Sequence, residues 1–150
     1  MGGGAGNASA SEAVLMRAVS GTGRWAWRAA AGNVSATEKM LMKAVGDKRW
    51  AAAGNVAASE AVLMRAVSGT GRWVRWAAAG NVAAREAVLM RAMGDKRWVV
   101  REAAAGNANL SVVNAQRLLG QTNVPILEAL AKNEALPERI RVAARLKTGL

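Results

Sequence analysis

Apolar residues along this chain come in short bursts of paired positions. Val14 and Leu15 are followed by Ala18 and Val19, a spacing that collects on one side of a helix with 3.6 residues per turn. The phrase that carries them, Ser11 to Val19, returns at residues 37–45, 59–67 and 85–93. Each copy predicts a short amphipathic helix with a basic residue near its end. Each runs into a glycine-containing turn: Gly21-Thr22-Gly23, Gly46-Asp47-Lys48, Gly69-Thr70-Gly71 or Gly94-Asp95-Lys96. All four turns lead into Arg-Trp. A second apolar segment follows, Arg24-Trp25-Ala26-Trp27-Arg28-Ala29-Ala30-Ala31, which stops at Gly32, a residue suited to a helix C-terminus. After Trp50 the counterpart is only Ala51-Ala52-Ala53 before Gly54, room for one turn of 3₁₀ type.

The pairs of segments are punctuated by Gly-Asn, with asparagine at Asn7, Asn33, Asn55, Asn81 and Asn107. Residues 5–52 align without gaps on residues 53–100, so the array is a tandem duplication of a two-repeat block with mild changes such as Lys43 answering to Arg91. Ser9 with Glu12 and Ser35 with Glu38 have the spacing of a capping box at the helix starts. One such helix pair cannot bury its own apolar side, and stacking on neighbours completes the core. The predicted fold is therefore all-α: one domain over residues 1–150, a solenoid of short helix pairs repeating every 22–26 residues. Residues 5–106 are the near-identical repeats. Residues 107–150, where the phrase decays and Pro125 and Pro137 start new helices ahead of Ile126 and Glu138, are diverged repeats forming a C-terminal cap.

Arg97-Trp98-Val99-Val100-Arg101-Glu102-Ala103-Ala104-Ala105-Gly106-Asn107, with Asn109-Leu110-Ser111 and the later run from Leu136 to Ala143, resembles the leucine-rich repeat variant. It is also similar to HEAT-type repeats. The resemblance implies a right-handed superhelix of short α and 3₁₀ helices used as a scaffold or binding surface. The iron–sulfur module attached to one member of that family needs cysteines, which this chain lacks.

Composition narrows the chemistry. The 150 residues contain no His, Cys, Tyr or Phe, which removes imidazole bases, thiolate nucleophiles, Cys/His metal sites and disulfides. Asp47 and Asp95 occupy the same place in the duplicated block, a poor basis for a catalytic pair, so no enzyme activity, metal or cofactor is predicted. No apolar run approaches the ~20 residues of a membrane helix and no signal peptide is visible, which predicts a soluble, cytoplasmic protein.

What remains is a net charge of +11 arranged in rows. Arg17, Lys43, Arg65, Arg91 and Arg117 each lie ten residues after a repeat asparagine, and Arg24, Arg49, Arg72 and Arg97 each precede a tryptophan. Stacked units would line up both sets as basic ladders. Glu12, Glu38, Glu60 and Glu86 form an acidic ladder able to neutralise one of them. Trp25, Trp50, Trp73 and Trp98 are expected in the core as the largest apolar side chains available, with Trp27 and Trp76 the candidates for stacking at a surface. Met16, Met42, Met64 and Met90 read as packing filler beside the core stripe, and the repeat asparagines as turn or cap residues.

The function this supports is a noncatalytic macromolecule-binding scaffold whose basic surface takes an acidic protein partner. The alternatives are nucleic-acid binding through phosphates and self-assembly through an uncapped N-terminal end.

Overall fold

The computed structural model describes residues 37–47 and 50–149, together with the single positions Ala13, Arg17, Ala29 and Asn33. Within these residues every regular element is an α-helix. Five helices carry the first segments: α1 (Glu38–Gly46), α3 (Glu60–Val67), α5 (Glu86–Met93), α7 (Val112–Leu118) and α9 (Glu138–Thr148). Four carry the second: α2 (Trp50–Ala53), α4 (Arg72–Gly80), α6 (Trp98–Ala105) and α8 (Val124–Lys132). The single turn Trp50–Ala53 is α-helical where a 3₁₀ turn was expected. Among the described residues no helix is long and apolar enough to cross a membrane.

Three of the odd-numbered helices, α1, α3 and α7, begin at a side-chain cap, whereas Arg85 before α5 and Pro137 before α9 make no such bond. Thr37, Ser59 and Ser111 accept the amide protons of Met40, Val62 and Asn114, each three residues on, which satisfies a donor that the helix cannot satisfy itself. The cap is thus the residue directly before the recurrent glutamate. Glu38 is the first residue of α1, not the third that the pairing with Ser35 required; the Ser9–Glu12 pairing lies outside the described residues. Pro125 sits in the first turn of α8 and Pro137 caps α9, where a missing N–H costs nothing.

The buried stripe falls where the apolar pairs predict. Val62, Leu63, Ala66 and Val67 of α3, the second copies of Val14, Leu15, Ala18 and Val19, are 3% exposed or less. Met40, Leu41 and Ala44 of α1 and Val88, Leu89 and Ala92 of α5 repeat the pattern. Met42 and Met64 pack partly buried against this stripe, but Met90 is exposed. Each odd helix packs on the even helix that follows it, and like helices touch along the chain: α1 on α3 and α3 on α5, then α2 on α4, α4 on α6 and α6 on α8. The even row is built on alanine. Ala52, Ala53, Ala78, Ala79, Ala104 and Ala105 are fully buried, and their single methyl groups allow backbones to approach closely.

Between successive repeats the asparagines form a continuous ladder. The Asn81 amide Nδ2 donates to the carbonyls of Ala53 (2.7 Å) and Asn55 (2.9 Å), while its Oδ1 accepts the amide of Ala83 (2.8 Å). Asn107 makes the equivalent bonds to Ala79, Asn81 and Asn109, and Asn55 reaches back to the carbonyl of Asn33. The next rung is Asn133, which donates to Ala105 and Asn107 and accepts from Ala135. It lies 26 residues after Asn107 but follows lysine instead of glycine, and so falls outside the Gly-Asn pattern.

Candidate basic and tryptophan edge

The chain alternates between two edges. At one, the asparagine turns lead into the glutamates that open the odd helices. At the other, the odd helices end, the glycine turns reverse the chain, and the even helices begin with Arg-Trp. Arg65 and Arg72 therefore flank one turn, and Arg91 and Arg97 the next.

All described members of the two ladders are exposed: Arg17, Lys43, Arg65, Arg91 and Arg117 of the first, Arg72 and Arg97 of the second. Arg24 and Arg49 lie outside the described residues. Lys43, Arg65, Arg91 and Arg117 each hold the sixth position of α1, α3, α5 and α7, so they repeat once per unit. The Arg65 guanidinium lies across the end of α1, close enough to Gly46 that a Cβ there would come within 2.9 Å of Nη2. Glycine makes this approach possible, and it sets a cation against the carbonyl end of the neighbouring helix. Arg117 donates to the Oδ1 of Asn114 in its own helix.

The acidic row does not neutralise the basic one. Glutamate at the first helical position and arginine at the sixth are separated by about 7.5 Å along the axis and face different directions. Glu38 Oε1 instead accepts the Ser59 hydroxyl of the next repeat at 2.8 Å, and Glu86 Oε1 accepts from Ser111 and Asn114 at 3.1 Å. Among the described residues the one ion pair is elsewhere. Arg75, 7% exposed, donates from Nε to Asp95 Oδ2 at 2.7 Å and from Nη1 to the carbonyls of Gly69 and Thr70. Asp95 also accepts the amide of Arg97, and its carbonyl accepts from Arg101. Its carboxylate thus ties two successive turns together, which is a structural task.

The recurrent tryptophans depart from expectation. Trp50, Trp73 and Trp98 are 37, 53 and 44% exposed, not buried, and Trp76 is 43% exposed. Trp25 and Trp27 lie outside the described residues. The reason is the alanine row: α2, α4 and α6 meet neighbours through methyl groups, leaving no volume for an indole between them. The tryptophans occupy the outer side of the even helices. Trp73 and Trp76 meet edge to face, with centroids 6.0 Å apart and planes at 84°, and the Arg72 guanidinium carbon stands 4.9 Å from the Trp73 centroid. With Trp50 these two rings line a pocket of about 300 Å³.

Trp50 joins Trp76 because of the short repeat. Counted back from the asparagines, Trp50 stands five before Asn55 and Trp76 five before Asn81, so the two share a structural position although the 48-residue copy pairs Trp50 with Trp98. The same position holds Glu102 before Asn107. A shallow groove of about 510 Å³ runs along it, lined by Trp50, Val56, Trp76, Val82, Glu102 and Ala103 among others. The chain matches no family model, no curated protein and no solved structure.

Proposed function

We propose that this chain is a noncatalytic binding scaffold, an α-solenoid of the leucine-rich-variant or HEAT-like kind, whose basic edge takes up the phosphate backbone of nucleic acid. The observation that carries the reading is the exposure of every described Arg and Lys of both rows while Glu38 and Glu86 bond to serine and asparagine. A row of un-neutralised cations, one per repeat, favours an extended polyanion, because each phosphate engaged releases condensed counterions. An acidic protein partner is the second reading, favoured by the apolar groove between Trp50, Trp76 and Val82 and by the enrichment of Trp and Arg at protein interfaces.

The test is fluorescence anisotropy with labelled single- and double-stranded oligonucleotides at about 50 mM salt. Converting Arg17, Lys43, Arg65 and Arg91 to Glu together is expected to weaken binding by a factor of roughly 100 or more, with the helical circular dichroism retained. Unchanged affinity in the folded variant would falsify phosphate binding by this row.

A further inference from the structure

We propose that the pocket between Trp50, Trp73 and Trp76 is a stacking site for unpaired nucleobases, so that the chain prefers single-stranded nucleic acid over duplex. The inference rests on the phosphate-binding reading and names the form of nucleic acid it concerns. Three indoles in one exposed pocket are costly to leave in water, and all three residues are more than a third exposed. Their geometry fits a flat ligand. Trp73 and Trp76 are nearly perpendicular, so a planar ring laid on the face of one meets the edge of the other, the arrangement aromatic systems favour.

Charge selects among planar ligands. Arg72 stands over Trp73, so a guanidinium group borders the pocket. That environment suits a base attached to a phosphate. It disfavours an ammonium or guanidinium ligand, which an aromatic pocket would otherwise attract. A base inside a duplex has both faces covered by its neighbours and cannot enter. An unpaired base presents a π-face whatever its identity, and each base stacked on an aromatic side chain contributes on the order of 1–3 kcal/mol with little sequence preference. The asparagine register explains how the site arises. The repeat that ends at Asn55 is four residues shorter than the others, which puts Trp50 at the same distance from its asparagine as Trp76, and both line the pocket.

The experiment compares three probes on the full chain: an oligothymidylate of about fifteen nucleotides, an abasic oligomer of the same length with every phosphate kept, and polyglutamate of similar length. The expected result is oligothymidylate binding about tenfold or more tighter than the abasic oligomer, with quenching of tryptophan emission. Trp73→Ala with Trp76→Ala should erase that difference and leave abasic binding unchanged. Trp73→Phe with Trp76→Phe should restore it, which separates loss of an aromatic face from loss of folding. Equal binding of the two oligonucleotides by the unaltered chain overturns the stacking site and leaves phosphate binding standing. No binding of either at about 50 mM salt overturns both. Polyglutamate binding as tightly as oligothymidylate overturns the proposal in favour of an acidic protein partner.

Discussion

At Asn81 a single, nearly buried side chain closes three hydrogen bonds that span two repeats. The residue is 4% exposed. Its Nδ2 serves the carbonyls of Ala53 and Asn55, and its Oδ1 serves the amide of Ala83. Alanine would leave those groups without a partner, and a buried polar group left unpaired costs about 1–3 kcal/mol. Asn81→Ala is therefore expected to lower the unfolding free energy by about 2–4 kcal/mol, read from the urea midpoint at unchanged slope. Asp at this position keeps the acceptor but sets a carboxylate against two carbonyls, and it should be at least as damaging. A loss below about 0.5 kcal/mol for either variant would mean that the ladder contributes little to stability. The five Gly-Asn pairs are legible in the sequence, yet their role as an inter-repeat ladder is not. An Asx turn is local and readable, whereas the carbonyls of Ala53 and Asn55 come from 28 and 26 residues earlier. Arg75 shows the same limit from the other side. The duplication pairs it with Trp27, so nothing in the sequence marks it as the partner of Asp95.

At the scale of the element, the apolar pairs located the odd helices and their buried faces because a 3.6-residue period is written in their side chains. The even helices were harder. Their cores are alanine, which gives little contrast, and their tryptophans invited burial by size alone. What decides is the approach of α4 to α2 and α6 through side chains of one carbon. This packing predicts an asymmetric response to size. Ala78→Leu adds three carbons where there is no space, and overpacking of this kind typically costs about 1–3 kcal/mol. Trp73→Ala, on the exposed side of the same helix, should change stability by less. Thermal or urea unfolding of the two variants side by side tests the assignment. A Trp73 variant losing more stability than Ala78→Leu would place the indole in the core after all.

For the whole molecule the question is whether binding comes from the rows of cations or from net charge alone, since a chain of +11 attracts any polyanion. The two differ in how affinity depends on salt and on where charge is removed. The odd helices α1, α3, α5 and α7 offer four exposed cations at one repeating position, Lys43, Arg65, Arg91 and Arg117. If each neutralises one phosphate of a single strand, log affinity should fall against log salt with a slope of about −3, steeper if Arg72 and Arg97 take part. A diffuse positive surface gives no such anchored count. The discriminating comparison is a control with the same change in net charge, made by converting the exposed Lys132, Arg139, Arg145 and Lys147 of the C-terminal helices to Glu. Reversal of Lys43, Arg65, Arg91 and Arg117 should flatten the slope toward zero and abolish binding at about 200 mM salt, whereas the control should keep most of the slope. Equal losses in the two variants would assign the affinity to overall charge and leave the rows as solvated faces. Retention in the control alone ties it to the edge where the odd helices end, because there the fold repeats a cation at every turn and holds the glutamates at the opposite edge.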